Sequence, residues 1–430
     1  MPSNTSSMKP LRIGLFTDTY MPTMNGISVV VSSLKDQLEL LGHEVFVVCP
    51  ATPGVRSELE KDKYIITVPS IKGWPYKEYD MSFFVPFLLR RRLQAYNFDA
   101  IMFFTPGQLG LMATSLATIT GTPLVAQHST DIPEYVLRYP LGSPAGLGIL
   151  AALPFFIHRR RLSWPAWRQA WRLLPSFVPW VSRATARGLA VWYAASDVTV
   201  ALSRKSQRQI MDMAQGVVVK PVVIPSGIDA LPLVVPEDAA VFRNTWGIAK
   251  DERVLLYVGR IASEKNLAVL IPALERLKAH DVTPRLVFVG DFDYRATLEA
   301  IAAKSTVASQ VIFTGKIERA KLGAVYASAD IFMFPSLTDT QGLVLHEAAQ
   351  AGLPIILCDP EVTEVARHDR NAQVVPSDSE QIAHAVRMIL DDDNLRRRYG
   401  VASKKLARQY SERIQAQKIN DLLLRLCNRF

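Results

Sequence analysis

Two successive series of short apolar runs, each run followed by a segment of helical periodicity, constrain this chain more than any other feature. The first series is LRIGLF (11–16), EVFVV (44–48), AIMFF (100–104), PLVAQ (123–127) and DVTVA (197–201). The second is RVLLYVG (253–259), RLVFVG (285–290), QVIFTG (310–315), DIFMFPS (330–336) and PIILC (354–358). Short runs of this kind read as strands buried on both faces, the environment of a parallel sheet. Parallel strands need crossover helices, and amphipathic stretches such as NLAVLIPALERLKAH (266–280) supply them. The expected fold class is α/β, with two tandem Rossmann-like, doubly wound domains. A length of 430 residues agrees, because it exceeds what one ordinary core holds.

The domain boundary is expected near VKPVVIPSGID (219–229), where two prolines and a glycine separate the series. This gives domains at 11–222 and 223–400, and a charged helical segment at 401–430 that packs back on the first domain. Cys49, Cys358 and Cys427 are too scattered for a disulfide framework or a zinc site, and they fit a reducing cytoplasm. The opening MPSNTSSMKP has no apolar core, so no secretory signal is expected. Tyr139 to Ile157 is uncharged for 19 residues, near the length of a membrane span. Three prolines (Pro140, Pro144, Pro154) interrupt it, and it reads as a loop or a surface-inserting segment.

Ligands of open α/β sheets bind beyond the carboxyl ends of the strands, so the loops there carry the candidate chemistry. After the first strand, TDTYMPTMNG leads into a helix at Gly26, where a glycine lets backbone amides approach a phosphate, or simply makes a turn. His128 is expected just past the strand PLVAQ. In VGRIASEKN, Arg260 and Lys265 follow a buried strand and suit the neutralisation of a departing diphosphate. Gly227 in VIPSGID reads as a turn residue at the hinge. In PSLTDTQGLVLHEA, a strand ends at Pro335 and Ser336 and a helix opens at Gly342. The amides of Gly342, Leu343 and Val344 have no intrahelical partner there and can receive phosphate oxygens. Asp339 precedes that helix and Glu347 lies inside it, so two carboxylates are available to polyhydroxyl groups.

Together, in this order, the PTMNG loop, the histidine after the fourth strand, GR-x4-K-N and the acid-x7-Glu motif in PS-x-x-acid-x2-G-L-V-x2-E-A resemble the retaining glycosyltransferases of family 4. The resemblance extends from about Leu11 onward. It implies the GT-B fold, with two Rossmann-like domains facing a cleft, and a nucleotide-sugar donor. It further implies that Glu347 holds the nucleotide ribose, Asp339 the transferred sugar, and Arg260 with Lys265 the diphosphate. Gly26 lets the first loop approach the phosphates, and His128 lies beside the sugar or acceptor. His128, Arg260, Lys265 and Asp339 are thus the candidate catalytic residues. Three departures stand out: Asp339 replaces the usual glutamate, Gln341 takes a place where an aromatic residue is common, and VGDFDY (289–294) lacks the usual glycine-proline. No metal cluster is visible, and no metal or other cofactor is expected.

A net charge of +9 suits nucleic acid, an anionic membrane or anionic substrates, so its distribution must decide. Between Glu134 and Asp197 there is no acidic residue, yet eight arginines and five of the seven tryptophans fall there. Arg159, Arg160, Arg161, Trp164, Trp167, Arg168, Trp171 and Arg172 form the densest part and are the candidate membrane-binding residues. Arginine attracts anionic head groups and tryptophan prefers the hydrocarbon boundary. The expected partners are a nucleotide sugar, anionic lipids and a lipid acceptor, with no nucleic acid. The expected place is cytoplasmic, peripheral on the inner face of the cell membrane. The leading reading is transfer of glucose from UDP-glucose to diacylglycerol. The alternatives are a GDP-mannose-dependent phosphatidylinositol mannosyltransferase, a soluble glycosyltransferase acting on a small sugar or polysaccharide, and a non-catalytic membrane-binding relative.

Overall fold

The computed structural model describes residues 10–23, 25–72, 80–82, 87–133, 177–228, 231 and 236–428. The chain forms two compact units, the first made of residues up to Gly227 together with Glu412 onward, the second of Ile228–Ser411. The first holds strands β1 (Arg12–Phe16), β2 (Glu44–Ala51), β3 (Ile65–Lys72), β4 (Asp80–Ser82), β5 (Ala100–Phe103), β6 (Leu124–His128), β7 (Val198–Ala201) and β8 (Pro221–Val223). They form one sheet in the order β4-β3-β2-β1-β5-β6-β7-β8. Only β4 runs antiparallel to its neighbour. The second unit holds β9 (Val254–Val258), β10 (Arg285–Val289), β11 (Val311–Gly315), β12 (Ile331–Phe334), β13 (Ile355–Leu357) and β14 (Ala372–Val374). These run parallel throughout, in the order β11-β10-β9-β12-β13-β14.

Burial on both faces explains why the runs lack a polar alternation. In β5, Ile101 and Phe103 pack with Phe16 on one face, while Ala100 and Met102 pack with Ile13 and Leu15 on the other. In β9, Leu255 and Tyr257 face one core of the second unit and Val254, Leu256 and Val258 the other. All ten apolar runs contain a strand. The four further strands lack that signal for a physical reason. Three are edge strands of three residues each (β4, β8, β14), and β3 carries Pro69. Edge strands need bury little, and proline is tolerated only where a ladder hydrogen bond is dispensable.

The segment expected at 401–430 divides between the units. Helix Asp393–Ala407 stays in the second, and helix Glu412–Cys427 belongs to the first. The latter buries Ala416, Ile419, Leu422, Leu423 and Leu426 against Val31, Leu34 and Leu38 of helix Gly26–Leu40. Each large aliphatic side chain so buried stabilises the docking by roughly 1.5–3 kcal/mol. Polar contacts fix its register. The Leu11 amide donates to His43 Nδ1 (3.1 Å), His43 Nε2 lies 2.7 Å from Asn420 Oδ1, and the Gly227 amide donates to Gln415 Oε1 (2.8 Å). Among the described residues, no helix is long and apolar enough to cross a membrane.

Candidate active site

In the second unit the carboxyl ends of β9 and β10 are drawn together by backbone contacts. Gly259 donates to the Val289 carbonyl (2.9 Å) and Tyr294 to that of Ile261 (3.1 Å). A Cβ on Gly290 would lie 1.9 Å from the Gly259 carbonyl oxygen, so only glycine permits this approach. The loop after β9 is pinned further by Tyr257, whose hydroxyl donates to the Arg260 carbonyl (2.9 Å). Thr338 Oγ1 donates to the Glu264 carbonyl (3.2 Å), and Asn266 Nδ2 to that of Pro335 (3.2 Å), so the Arg260–Lys265 loop and the Asp339 loop are fastened to each other.

On this frame the predicted charges pair. Lys265 Nζ donates to Asp339 Oδ1 at 2.7 Å, with both side chains largely buried. Arg260 donates to Glu264 (3.2 Å), and its guanidinium lies 4.8 Å from the centre of the Phe292 ring, a cation-π arrangement. Phe292 belongs to the loop that departs from the usual glycine-proline, so here an aromatic face supports the arginine.

Glu347, in helix Leu343–Ala351, is buried and held by both oxygens. Arg319 Nη1 donates to Oε1 (2.9 Å) and the Tyr326 hydroxyl to Oε2 (2.7 Å). A carboxylate oxygen has two lone-pair directions, so each keeps one for a further donor. Burial and the Glu347 charge push Tyr326 well above the usual phenol range, so it stays a donor. The helix starts after Gly342 in the left-handed region (φ 68°), and no side chain caps it. A Cβ on Gly342 would meet Phe334 at 2.9 Å. Leu343 and Val344 thus offer first-turn amides, the arrangement that suits an anion. Gln341 is buried beside His346, with 3.3 Å between their Nε2 atoms, and Thr363 Oγ1 is equally close to that ring nitrogen. Burial pushes His346 down to about 4.

The first unit contributes groups of another kind. His128 is the last residue of β6 rather than a loop residue, and it is fully buried. Its Nδ1 lies 2.9 Å from the Tyr193 hydroxyl, while Nε2 is buried without a partner among the described residues. Burial pushes His128 down to about 4, so the ring is neutral at pH 7. Gly26 is the exposed first residue of its helix, but the amides after it are already satisfied. Asn25 Oδ1 accepts from Ile27 (3.0 Å) and Ser28 (2.9 Å), and Ser28 Oγ accepts from the Asn25 amide. Asp18, in the same loop, accepts from Thr105 Oγ1 (2.5 Å) and the Leu109 amide (2.9 Å), tying the loop to helix Gln108–Thr120. Arg159, Arg160, Arg161, Trp164, Trp167, Arg168, Trp171 and Arg172 lie outside the described residues.

The family model described as Glycosyltransferase Family 4 matches residues 24–230, and that described as Glycosyl transferases group 1 matches residues 238–406. The chain belongs to glycosyltransferase family 4. This family 4 enzyme is 24% identical over 432 residues to an alpha-monoglucosyldiacylglycerol synthase of Acholeplasma laidlawii, covering 97% of this chain and 98% of that one. It is 26% identical over 357 residues to a GDP-mannose-dependent alpha-mannosyltransferase of Mycobacterium tuberculosis, covering 81% and 79%. Among solved structures, Anabaena HepE in complex with UDP superposes with a TM-score of 0.69 at 17% identity, over 96% of this chain and 99% of that one. The fold is GT-B.

The family 4 motifs thus place Arg260, Lys265, Asp339, Gly342, Leu343, Val344 and Glu347 in the second unit, and Gly26 and His128 in the first. Sequence reasoning missed Arg319, Tyr326, Phe292 and Tyr193. Tyr326 and Tyr193 sit in helices at positions that read as core, and only their hydroxyls distinguish them from phenylalanine. Arg319 opens helix Arg319–Ala327 beside Lys316 and Lys321, where it reads as solvated surface.

Proposed function

We propose that this glycosyltransferase moves glucose from UDP-glucose onto the hydroxyl of diacylglycerol with retention of the α configuration. The observation that carries the reading is the second unit's set of groups: the Lys265–Asp339 pair on two loops fastened to each other, and the uncapped helix that follows at Gly342 and carries doubly held Glu347. Such a set offers cations and amides to a diphosphate and carboxylates to hydroxyls at either end of it. The lipid acceptor is supported by end-to-end similarity to the Acholeplasma laidlawii synthase, and by the arginine- and tryptophan-rich stretch at 138–172; Trp192, counted with it in the sequence, is instead fully buried in the core and donates to Thr114. That stretch is assigned to an anionic membrane surface on the inner face of the cell membrane.

In the proposed reaction the acceptor oxygen bonds to the anomeric carbon on the face from which the diphosphate leaves, and the carbon–phosphate-oxygen bond breaks. The acceptor proton passes to the departing diphosphate. Arg260, Lys265 and the helix amides stabilise the charge that grows there, and the protein otherwise contributes orientation. With two side-chain cations at hand no metal is required, and EDTA is expected to leave the rate unchanged; a loss restored by a divalent ion would refute this point.

The test is transfer by the purified protein with UDP-glucose, UDP-galactose and GDP-mannose in parallel, each with and without anionic vesicles containing diacylglycerol or phosphatidylinositol. Glucolipid from UDP-glucose and diacylglycerol is the expected product. Mannolipid from GDP-mannose, or sugar transfer indifferent to vesicles, would overturn the donor or the acceptor respectively.

A further inference from the structure

His43 shows how a buried histidine in this fold can be satisfied at both ring nitrogens. Its Nδ1 accepts from the Leu11 amide, which can only donate, so Nε2 carries the proton and donates to Asn420 Oδ1. Both ring nitrogens are used, and the residue serves packing alone. His128 is more deeply buried and has one partner among the described residues, the Tyr193 hydroxyl on Nδ1, with its Nε2 left over.

The proton count of this pair has two solutions. If Tyr193 donates to Nδ1, the imidazole proton sits on Nε2 and a single polar group, that N–H, lacks a partner among the described residues. If Nδ1–H donates to Tyr193 instead, the phenol proton and the Nε2 lone pair both lack one. Each buried, unsatisfied polar group is costly, so the first arrangement prevails. Acidity points the same way, because a phenol is a better donor to an imidazole nitrogen than the reverse. Burial and the nearby Asp131 charge further raise the Tyr193 proton affinity, which keeps that proton on the phenol. The rings meet edge to face, with centres 5.7 Å apart and planes at 86°, and Tyr193 is itself buried, so the arrangement is fixed by packing.

We propose that Tyr193 is a positioning residue that holds His128 in the Nε2–H tautomer, so that His128 donates a hydrogen bond to an oxygen of bound substrate and does not serve as the base for the acceptor hydroxyl. The substrate half of this statement rests on the glycosyltransferase reading; the tautomer half does not. The proton of the acceptor then has no route to His128, in agreement with its passage to the leaving diphosphate.

The experiment is histidine-selective 15N NMR of the full-length protein at pH 7, without ligand, with the His128 signals among the seven histidines assigned by their loss in His128→Gln. The expected result is a protonated Nε2 and an unprotonated Nδ1 on His128, changing to a mixture of tautomers in Tyr193→Phe. Turnover of Tyr193→Phe is expected to fall about tenfold with the donor KM little changed. A protonated Nδ1 on His128 in the wild-type protein would overturn the inference, whether or not the protein transfers sugar. A Tyr193→Phe protein with unchanged tautomer and unchanged turnover would overturn it as well. Should Tyr193→Phe not fold, the wild-type spectrum decides alone. Absence of transfer from any donor would instead count against the function proposed above and leave the tautomer result standing.

Discussion

Helix Gly26–Leu40 begins with its amides taken by Asn25, whereas helix Leu343–Ala351 begins with no side-chain cap at all. The contrast extends to what surrounds each end. In the second unit the functional side chains are ionic and paired: Lys265 with Asp339, Arg260 with Glu264, Arg319 with Glu347. In the first, His128 and Tyr193 form a neutral, buried pair. An ionic cluster binds a charged ligand by exchanging partners, so part of the binding energy is spent releasing contacts already made. A neutral donor with an unused proton has no contact to release. On the proposed reading, the difference teaches that the second unit supplies affinity toward an anion, and the first the orientation of an uncharged group.

The most severe way to break this comparison is Glu347→Ala. It removes a buried carboxylate and leaves Arg319 and Tyr326 facing a void, so UDP affinity and kcat/KM are expected to fall on the order of 100-fold, as losing one or two charge-assisted hydrogen bonds implies. Calorimetry with UDP and initial rates measure both, and unchanged affinity would remove Glu347 from the donor site. Next is the pair Lys265→Met and Asp339→Asn. Each alone is expected to cost about 10-fold or more in kcat/KM, and the double variant less than the product, because each single change strands the other's charge. Strict additivity would mean that the 2.7 Å contact is not used in the reaction cycle.

A smaller effect comes from pH. His128 and His346 are pushed down to about 4 by burial, from a usual value of 6.5 that applies in the unfolded chain. Between those values the unfolded chain holds more protons than the folded one, so stability is complete above about pH 6.5 and is lost as pH falls. The slope is at most ~1.4 kcal/mol per pH unit for each histidine. Melting temperatures from pH 7 to 5 should fall accordingly, and His346→Gln should flatten the slope; a wild-type profile without slope would contradict the buried neutral rings. The mildest test is Asn25→Ala, which removes the cap of helix Gly26–Leu40 and should destabilise the first unit by about 1 kcal/mol. UDP affinity is expected to stay the same, and a tighter-binding variant would show that Asn25 competes with a phosphate for those amides.

Much of this was legible in the sequence because burial on both faces of a parallel sheet leaves a signal in every strand that bears it. Central strands announced themselves; β4, β8 and β14 did not, since an edge strand of three residues has little to bury. Arg260 and Lys265 were likewise legible as site candidates, because cations directly after a buried strand have few other reasons to be there, whereas Arg319 at a helix start read as solvated surface. Tyr193, Tyr326 and Phe292 were not, because their role depends on one hydroxyl or one ring face meeting a residue distant in the chain: 65 positions for His128–Tyr193 and 21 for Tyr326–Glu347. Gly26 was legible as a helix start, but the capping box that satisfies its neighbours depends on side-chain rotamers that the pattern does not specify.

The chain leaves the first unit after Gly227 and returns to it at Glu412, so Ile228–Ser411 is one uninterrupted stretch while its companion is assembled from two pieces. On a ribosome, elongation runs at about 5–20 residues per second and domains usually complete in the order they are made. Here the order inverts. The unit that begins first keeps the apolar stripe of Val31, Leu34 and Leu38 without its cover until Leu426 has emerged, by which time the intervening unit is already whole.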